Sequence, residues 1–392
     1  MIILIIQIVL LVYFGLVVLY VFSISVVSLF PRKNLPLLDP RTRRIALLIP
    51  GFKEDRVILE VAEDALNQSY PRHLFDVIVI ADSFLPLTIE HLKILPIKLI
   101  EVSFESSTKA RSINKALSIL PEDYDIIVIL DADNLMEKDF LTKMNDAFSR
   151  GFTCVQGHRV AKNLDSSMAI LDALSEEVNN NLFRKGHRVL GLSAALIGSG
   201  MAFDFKYYKE IMKTIDAIGG FDKELELILI RHGKIIEYLE DAIIFDEKVQ
   251  TAEVFSNQRK RWLSAHYIYF KEVISTVLHE VTKNRNFNYF FKALQFASPP
   301  RLLLIGFLLI FATISIFVNE LPLTIIWATL FLMSILAIVF ATPKYFYNLG
   351  TLKALFKLPQ SFIILFFNLF KLKNANKKFI HTQHGSTMKT NL

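Results

Sequence analysis

The sequence predicts an α/β domain that is held at a membrane by apolar helices on either side of it. Short runs rich in Val, Ile and Leu alternate with amphipathic helical segments between residues 45 and 149, which is the pattern of an α/β fold. Residues 2–30 contain no charged side chain, and two more apolar runs occupy 302–318 and 321–342. Hydrophobic residues make up 53% of the 392-residue chain, a larger share than in ordinary soluble domains.

The first apolar run is expected to be an uncleaved membrane anchor occupying residues 1–31. It exceeds the apolar region of a signal peptide, which is about 7–15 residues long, and it has neither a preceding basic region nor a small-residue cleavage site. Only Asn319 and Glu320 separate the two later runs. These runs therefore predict two membrane helices joined by a hairpin turn.

Basic residues near the apolar runs predict the orientation of the chain. They follow the first and third runs and precede the second, whereas the turn between the last two has none. These residues are Arg32, Lys33, Arg41, Arg43, Arg44, Lys283, Arg285, Lys292, Arg301 and Lys344. Because cytosolic flanks are rich in Lys and Arg, residues 33–300 and those after 343 are expected in the cytosol. The protein is expected to be an integral protein of a bacterial plasma membrane. The net charge of +6 then faces the membrane, so lipids are expected as partners and nucleic acid is not.

The last apolar stretch, residues 352–372, is expected to lie on the membrane surface as an interfacial helix. It contains Pro359, and a full crossing would place Lys371 on the outside, against the charge rule. A fourth crossing is the alternative. The membrane region is thus assigned to residues 283–373 and a polar tail to 374–392.

Residues 32–282 are assigned to the α/β domain. Strands are expected at 45–49, 77–81, 97–102 and 126–130, and helices at 56–67, 108–120 and 138–149. From about residue 153 the pattern is irregular. There is no GxxxxGK(S/T), and no GxGxxG after the first strand, which disfavours a P-loop and a dinucleotide fold. The single cysteine, Cys154, excludes an internal disulfide and a CxxC zinc site.

Acidic residues follow two of the expected strands, at the edge where open α/β sheets bind ligands. Asp82 ends VIVIAD, and Asp131 and Asp133 follow DIIVIL in the motif DAD. Two carboxylates one residue apart on such a turn suit a divalent cation, Mg²⁺ or Mn²⁺, that bridges phosphate oxygens. A solvated turn is the alternative, because Asp-Ala-Asp-Asn is also good turn material.

The pentapeptide QRKRW is the strongest single motif. Gln258 and Arg261 are three residues apart and share one face of a helix, and Trp262 is adjacent to them. Arg259 and Lys260 fall on other faces, so the alternative of a lipid-headgroup contact fits them better. For the whole motif, a lipid contact is the alternative to a substrate contact.

Taken in order, the strand ending at Asp82, the strand before DAD, the acidic run at 222–226 and QRKRW resemble the processive-type branch of inverting family-2 glycosyltransferases. That branch includes the cellulose, chitin and hyaluronan synthases, with the ceramide glucosyltransferases as relatives. The resemblance covers Ile45–Trp262 together with the flanking membrane segments. It implies the GT-A fold, a nucleotide-sugar donor and a saccharide or lipid acceptor.

The resemblance also implies roles for the donor side. Asp82 matches the aspartate that recognises the nucleotide base, typically uracil, although ADSF departs from the acidic sequences of many relatives. Asp133 matches the more direct metal ligand and Asp131 the residue that contacts the nucleotide sugar. Lys109 matches a basic residue that faces the donor phosphates, with a solvated helix start as the alternative.

The expected catalytic base departs from the family pattern. Many relatives have Asp in a Thr/Ser-Glu-Asp triplet, and the register of LEL places Glu224 at that position. Asp222 is the second candidate for the base and is otherwise a cap for a helix at 223–231, while Glu226 is expected to point away. Gln258, Arg261 and Trp262 match residues that lie under the acceptor and the pyrophosphate.

The sequence thus predicts a membrane-anchored inverting glycosyltransferase whose acceptor hydroxyl loses its proton to a carboxylate. Single addition to a lipid or short saccharide is favoured, because the chain has fewer membrane helices than hyaluronan-type synthases. A processive polysaccharide synthase and a catalytically inactive scaffold that retains the fold are the alternatives. The substituted base position favours the scaffold, and the intact DAD and QRKRW motifs disfavour it.

Overall fold

The computed structural model describes residues 2–32, 35–317 and 321–371. The predicted turn at Asn319 and Glu320 and the predicted tail at 374–392 lie outside the described residues.

A mixed sheet forms the centre of the α/β domain. Its strands are β1 Ile45–Phe52, β2 Phe75–Asp82, β3 Lys98–Val102, β4 Ile126–Ile129, β5 Leu135–Met136, β6 Cys154–Ala161, β7 Met201–Asp204 and β8 Glu237–Asp246. The strand order is β3-β2-β1-β4-β7-β6-β8-β5. The first four strands of this order are parallel, whereas β7 runs antiparallel to both β4 and β6. The four predicted strands are present, and the region expected to be irregular adds β6, β7 and β8.

Helices cover the sheet and continue into the membrane region. They are α1 Ile2–Val27, α2 Ile58–Leu66, α3 Pro86–Ile94, α4 Lys109–Ile119, α5 Phe140–Ser149, α6 Ser167–Asn179, α7 His187–Val189, α8 Phe205–Met212, α9 Phe221–Arg231, α10 Ala252–Thr282, α11 Phe287–Ala297, α12 Arg301–Phe317, α13 Leu321–Ala341, α14 Leu349–Leu355 and α15 Leu358–Leu369. A π-helical segment, Asn180–Gly186, joins α6 to α7 without a break.

The core lies on both faces of the sheet because its central strand is apolar on both sides. Ile45, Leu47 and Ile49 of β1 pack with residues of α2 and α5 on one face. Ala46 and Leu48 pack with residues of α4 and α8 on the other. Successive strand residues point to opposite faces, so an uninterrupted apolar run is what a strand covered on both sides requires.

Two helices are long and apolar enough to cross a membrane, at Ile6–Val27 within α1 and at Leu321–Ala341, which is α13. The pairs α11–α12 and α14–α15 meet the same criteria only if each is taken as one bent segment, with bends of 64° and 45°. The predicted second span falls on α12, and the predicted interfacial helix falls on α14–α15. Apolar helices at both ends of the domain thus agree with the predicted fold class.

Candidate active site

The carboxyl ends of β1, β2 and β4 open into one cavity of about 720 Å³. The cavity begins at the acidic strand ends and continues between helices α6, α10, α12 and α15. Asp82, Lys109, Asp131 and Asp133 all line it. Because parallel strands end at the same edge of a sheet, residues from distant parts of the sequence meet here.

Asp82 is fully buried at the end of β2, with 1% of its surface exposed. One carboxylate oxygen accepts a hydrogen bond from the Ser83 hydroxyl at 2.9 Å, and the Ser112 hydroxyl lies 3.5 Å from the other oxygen. Ser83 has a positive φ of 59°, a conformation that few non-glycine residues adopt. The strand therefore ends in a tight turn that turns its last side chain towards the cavity.

Asp131 is positioned by a lysine and by a glycine-rich turn. Lys109, at the start of α4, forms an ion pair with its carboxylate and donates to the Gly198 carbonyl at 2.7 Å. The backbone N–H of Asp131 donates to the Ser199 hydroxyl at 2.9 Å. Gly200 has a positive φ of 61°, which favours glycine, and a Cβ there would lie 2.7 Å from the end of the Ile244 side chain. The sequence shows this Gly-Ser-Gly turn without indicating that it supports the DAD motif.

Asp133 is buried, and its neighbours are anchored on two sides. Asn134 donates to one of its carboxylate oxygens at 3.2 Å and to Asp246 of β8 at 3.0 Å. Asn134 also accepts from the Ser199 hydroxyl at 2.6 Å. The Lys162 ammonium donates to the Asp133 backbone carbonyl at 3.1 Å. These bonds fix the turn after β4, so its two carboxylates keep their places in the cavity wall.

The donor set fits a divalent cation that shares its coordination with a substrate. No cluster of three or more His, Cys, Asp or Glu side chains suited to a metal is found in the described part of the chain. Mg²⁺ is commonly bound by one or two carboxylates, with phosphate oxygens and water completing the shell. Asp131 and Asp133 supply such a partial shell of hard oxygen ligands.

The acidic run on α9 differs from the sequence expectation in its local structure. The helix begins at Phe221, after Gly220 with φ of 72°, rather than at residue 223. Asp222 therefore lies in the first helical turn and does not cap the helix, since no side-chain cap is formed there. A glycine suits the position before the helix because its φ is positive.

The three acids of α9 point in different directions. Asp222 lines the cavity, whereas Glu224 is not among the lining residues and accepts a hydrogen bond from the Tyr269 hydroxyl at 3.2 Å. Burial raises the pKa of Glu224. Glu226 is buried in an ion pair with Lys292 of α11. The expectation that Glu226 points away from the site agrees with this contact.

All three selected residues of QRKRW, Gln258, Arg261 and Trp262, line the cavity from α10. Arg259 also lines it, although helix periodicity placed this side chain on a different face from Gln258 and Arg261. Arg259 forms an ion pair with Asp172 of α6, and its guanidinium lies 4.3 Å from the centre of the Trp262 ring. The contact with α6 draws the side chain inwards, which helix periodicity alone does not indicate.

Sequence reasoning missed a group of charged residues opposite α10. Arg159 of β6 donates to Glu176 of α6 at 2.7 Å, and Arg184 of the π-helical segment donates to the same carboxylate at 3.3 Å. Burial alone would raise the pKa of Glu176, yet the two guanidinium groups hold it well below its usual value. One signal was available: Asp172 and Glu176 lie four residues apart, on one face of helix α6.

Comparisons with known proteins bear on the family and the fold of the chain. The sequence model described as "Glycosyltransferase like family 2" matches residues 40–265. Among solved structures, the mannosyltransferase PcManGT from Pyrobaculum calidifontis, in complex with GDP-Man and Mn²⁺, is 15% identical with a TM-score of 0.52, over 84% of this chain and 94% of that chain. Glucosyl-3-phosphoglycerate synthase from Mycobacterium tuberculosis, in complex with Mn²⁺, UDP and phosphoglyceric acid, is 14% identical with a TM-score of 0.42, over 60% and 83%.

A search of curated protein sequences finds no match. The likeness to the mannosyltransferase shows the fold, and the predicted GT-A fold is confirmed. The family match covers more than half of the chain and includes the DAD motif, α9 and the QRKRW helix. The chain therefore belongs to the glycosyltransferase-like family 2.

Proposed function

We propose that the protein transfers a sugar, with inversion, from a nucleotide diphosphate sugar to an acceptor hydroxyl at the cytosolic face of the membrane. The observation that supports this most strongly is the convergence of Asp82, Lys109, Asp131 and Asp133 in one cavity. They were selected from three different segments of the sequence, with Asp131 and Asp133 sharing the DAD motif. A solvated turn or a solvated helix start does not explain why all four side chains meet there.

The donor is proposed to be a UDP-sugar bound at the strand ends. Asp82 suits recognition of the base, since its buried carboxylate accepts hydrogen bonds. Lys109 lies beside Asp131 and supplies a positive charge for the diphosphate. A Mg²⁺ or Mn²⁺ ion held by Asp133 and Asp131 would act as a Lewis acid on the leaving diphosphate. The complex of the solved mannosyltransferase with GDP-Man and Mn²⁺ supports a nucleotide diphosphate sugar and a divalent metal at this place in the fold, without bearing on the nucleotide base.

Asp222 is proposed as the general base, in place of Glu224, which the sequence register favours. Asp222 faces the cavity, while Glu224 is engaged by Tyr269. The acceptor oxygen forms a bond to the anomeric carbon as the bond from that carbon to the diphosphate oxygen breaks. The hydroxyl proton passes to Asp222, and the nucleoside diphosphate leaves with the bonding electron pair. A single displacement of this kind inverts the anomeric configuration.

Single addition remains our proposal over polymer synthesis. Two helices, or at most four if each bent pair is one span, can cross a membrane in the described part of the chain. This is fewer than in hyaluronan-type synthases. An inactive scaffold is disfavoured by the preserved convergence of the donor residues. The anchor at 1–31, the catalytic domain at 32–282 and the membrane region at 283–373 are retained as the proposed organisation. Labelling of an introduced cysteine tests the cytosolic location of the catalytic domain. A cysteine at exposed Ser106 should react with an impermeant reagent only after the cells are opened. Native Cys154 should add no background because it is buried.

The direct test is purified full-length protein with a panel of radiolabelled nucleotide sugars, with Mn²⁺ or Mg²⁺, and with membrane extract as acceptor. We expect transfer or slow donor hydrolysis with one donor, and an inverted configuration in the product. If no nucleotide sugar is bound or turned over under any of these conditions, the proposed function is wrong.

A further inference from the structure

The cavity continues beyond the donor residues into the membrane helices. Its far part is lined by apolar side chains from several of them: Val21 of α1, Leu174 and Val178 of α6, Leu304 of α12, Ile338 of α13 and Leu365 of α15. A sugar offers hydroxyl groups, which an apolar wall leaves without hydrogen-bond partners. This part of the cavity is therefore suited to a hydrocarbon chain rather than to a second saccharide.

Between the donor residues and the apolar part, basic side chains outnumber acidic ones. The basic side chains are Arg159, Arg184, Lys248, Arg259, Arg261 and Arg301, and the acidic ones are Asp172, Glu176, Asp246 and Glu247. Six cations against four carboxylates leave an excess of two positive charges. Buried charges are costly unless they are compensated, so this excess favours an anionic ligand at this place.

Arg301 shows the excess most clearly. It lies at the start of α12, where the polar and apolar parts of the cavity meet. Its guanidinium donates to Asn179 Oδ1 at 2.5 Å, to the Ser175 carbonyl at 2.8 Å and to the Ser175 hydroxyl at 3.2 Å. These partners are neutral, and no ion pair joins Arg301 to a carboxylate among residues 2–32, 35–317 and 321–371.

Gln258 adds a polar atom that has no hydrogen-bond partner within the described residues. This atom is the side-chain oxygen, which is buried. Gln258, the first residue of QRKRW, lines the same cavity as Asp222. A buried acceptor of this kind is costly unless a donor reaches it, and a substrate hydroxyl is such a donor.

We propose that the acceptor is an amphiphile in which a phosphate ester joins a long apolar chain to a group that bears the reacting hydroxyl. The chain lies between the membrane helices, the phosphate lies among the arginines around Arg301, and the hydroxyl reaches the donor at Asp222. This inference rests on the proposed function and names the substrate class of its acceptor site. The transfer itself is the displacement given above, with the phosphate ester unchanged.

The first test is binding without donor or metal. Full-length protein in micelles of a neutral polyoxyethylene detergent is titrated with farnesyl phosphate, farnesol and inorganic phosphate. Because hydrogen bonds to charged groups are the stronger ones, we expect farnesyl phosphate to bind about tenfold or more tightly than farnesol. Inorganic phosphate, without the chain, should bind more weakly than farnesyl phosphate. Equal affinities for the phosphate and the alcohol would overturn the proposal.

The second test uses Arg301→Gln, with Lys353→Gln as a matched control. Lys353 is exposed on α14 and does not line the cavity. Arg301→Gln should weaken farnesyl phosphate binding by about tenfold or more and leave farnesol binding unchanged, whereas the control should bind both as the native protein does. Arg301→Lys should recover part of the lost affinity. Equal losses in Arg301→Gln and the control would overturn the site.

UDP titration in the presence of Mn²⁺ separates this inference from the proposed function. UDP should bind equally well to the native protein, Arg301→Gln and Lys353→Gln. If UDP binds but farnesyl phosphate shows no preference over farnesol, the acceptor inference fails and the donor site stands. If neither UDP nor another nucleoside diphosphate binds to the native protein, the proposed function fails at its donor step.

Discussion

The two halves of the cavity are built in different ways. In the half proposed to bind the donor, called the donor half, Asp82 ends β2 and Asp131 and Asp133 lie on the turn after β4, and the sheet brings those strand ends together. In the half proposed to bind the acceptor, called the acceptor half, side chains from β6, α6, α10 and α12 come together only because these elements pack against one another. Local sequence therefore encodes the donor half, whereas the acceptor half depends on tertiary contacts such as that of Arg259 with Asp172.

The largest expected effect is in the donor half. Asp133→Asn should lower sugar transfer by about 10³-fold or more, because it removes a negative ligand where the diphosphate and metal are proposed to bind. Initial rates with saturating donor and Mn²⁺ measure this. Asp241→Asn, an exposed residue of β8, is the matched control and should behave as the native protein. If Asp133→Asn transfers sugar as fast as the native protein, Asp133 takes no part in the reaction.

The next largest effect on turnover is expected at Asp222, which lies where the two halves of the cavity are proposed to meet. Asp222→Asn should lower turnover by about 10²–10⁴-fold, the usual cost of losing a positioned general base. Glu224→Gln should cost much less, since Glu224 lies against Tyr269 rather than in the cavity. The affinity for UDP should be unchanged in both variants. If Glu224→Gln shows the large loss of turnover and Asp222→Asn the small one, Glu224 is the base and the register inferred from LEL is correct.

The sequence predicted the fold and the position of Asp82, Asp131 and Asp133 at one edge of the sheet, because each of these predictions needs only one local rule. A strand followed by an acid places that acid at the sheet edge, as for Asp82. The helix start on α9 was two residues earlier than predicted, because Gly220 adopts a positive φ that the sequence pattern does not show. Arg159 and Arg184 gave no local signal, since their shared partner Glu176 is on another element. Buried ion pairs between elements are thus where the sequence-based prediction was incomplete.

In the helical half, charges also support the structure. Glu226 of α9 pairs with Lys292 of α11, and both side chains are almost fully buried, with 2% and 1% exposed. Lys292→Met leaves Glu226 without its partner, so the free energy of unfolding should fall by about 3–5 kcal/mol. Denaturant titration in micelles measures it, and exposed Lys115→Met is the control. The double variant Glu226→Gln, Lys292→Met should recover part of the loss.

An unchanged free energy of unfolding in Lys292→Met would mean that this contact does not join the α/β domain to the membrane helices. A double variant less stable than Lys292→Met would show that the loss comes from packing rather than from the unpaired carboxylate.

The smallest expected effect lies where the sheet meets the helical half. His158 of β6 contacts the Glu177 carboxylate at 3.0 Å and the Glu240 carbonyl at 2.9 Å. Burial and Arg184 lower the pKa of His158, but the bonds to Glu177 and Glu240 outweigh them, so its pKa is raised. A raised pKa in the folded state means that the contact stabilises most below the ordinary histidine pKa of about 6.5. That stabilisation is lost as the pH rises through the raised value.

The melting temperature of the native protein should therefore fall modestly as the pH is raised from about 6 into the alkaline range. His158→Gln should lose this part of the pH dependence, because glutamine does not titrate, while His73→Gln, at an exposed position, should keep it. If the native protein and His158→Gln give parallel curves, the pair with Glu177 adds nothing to the junction. The arginines around Glu176 would then be what joins β6 to α6, since Arg159 and Arg184 stay charged throughout this range.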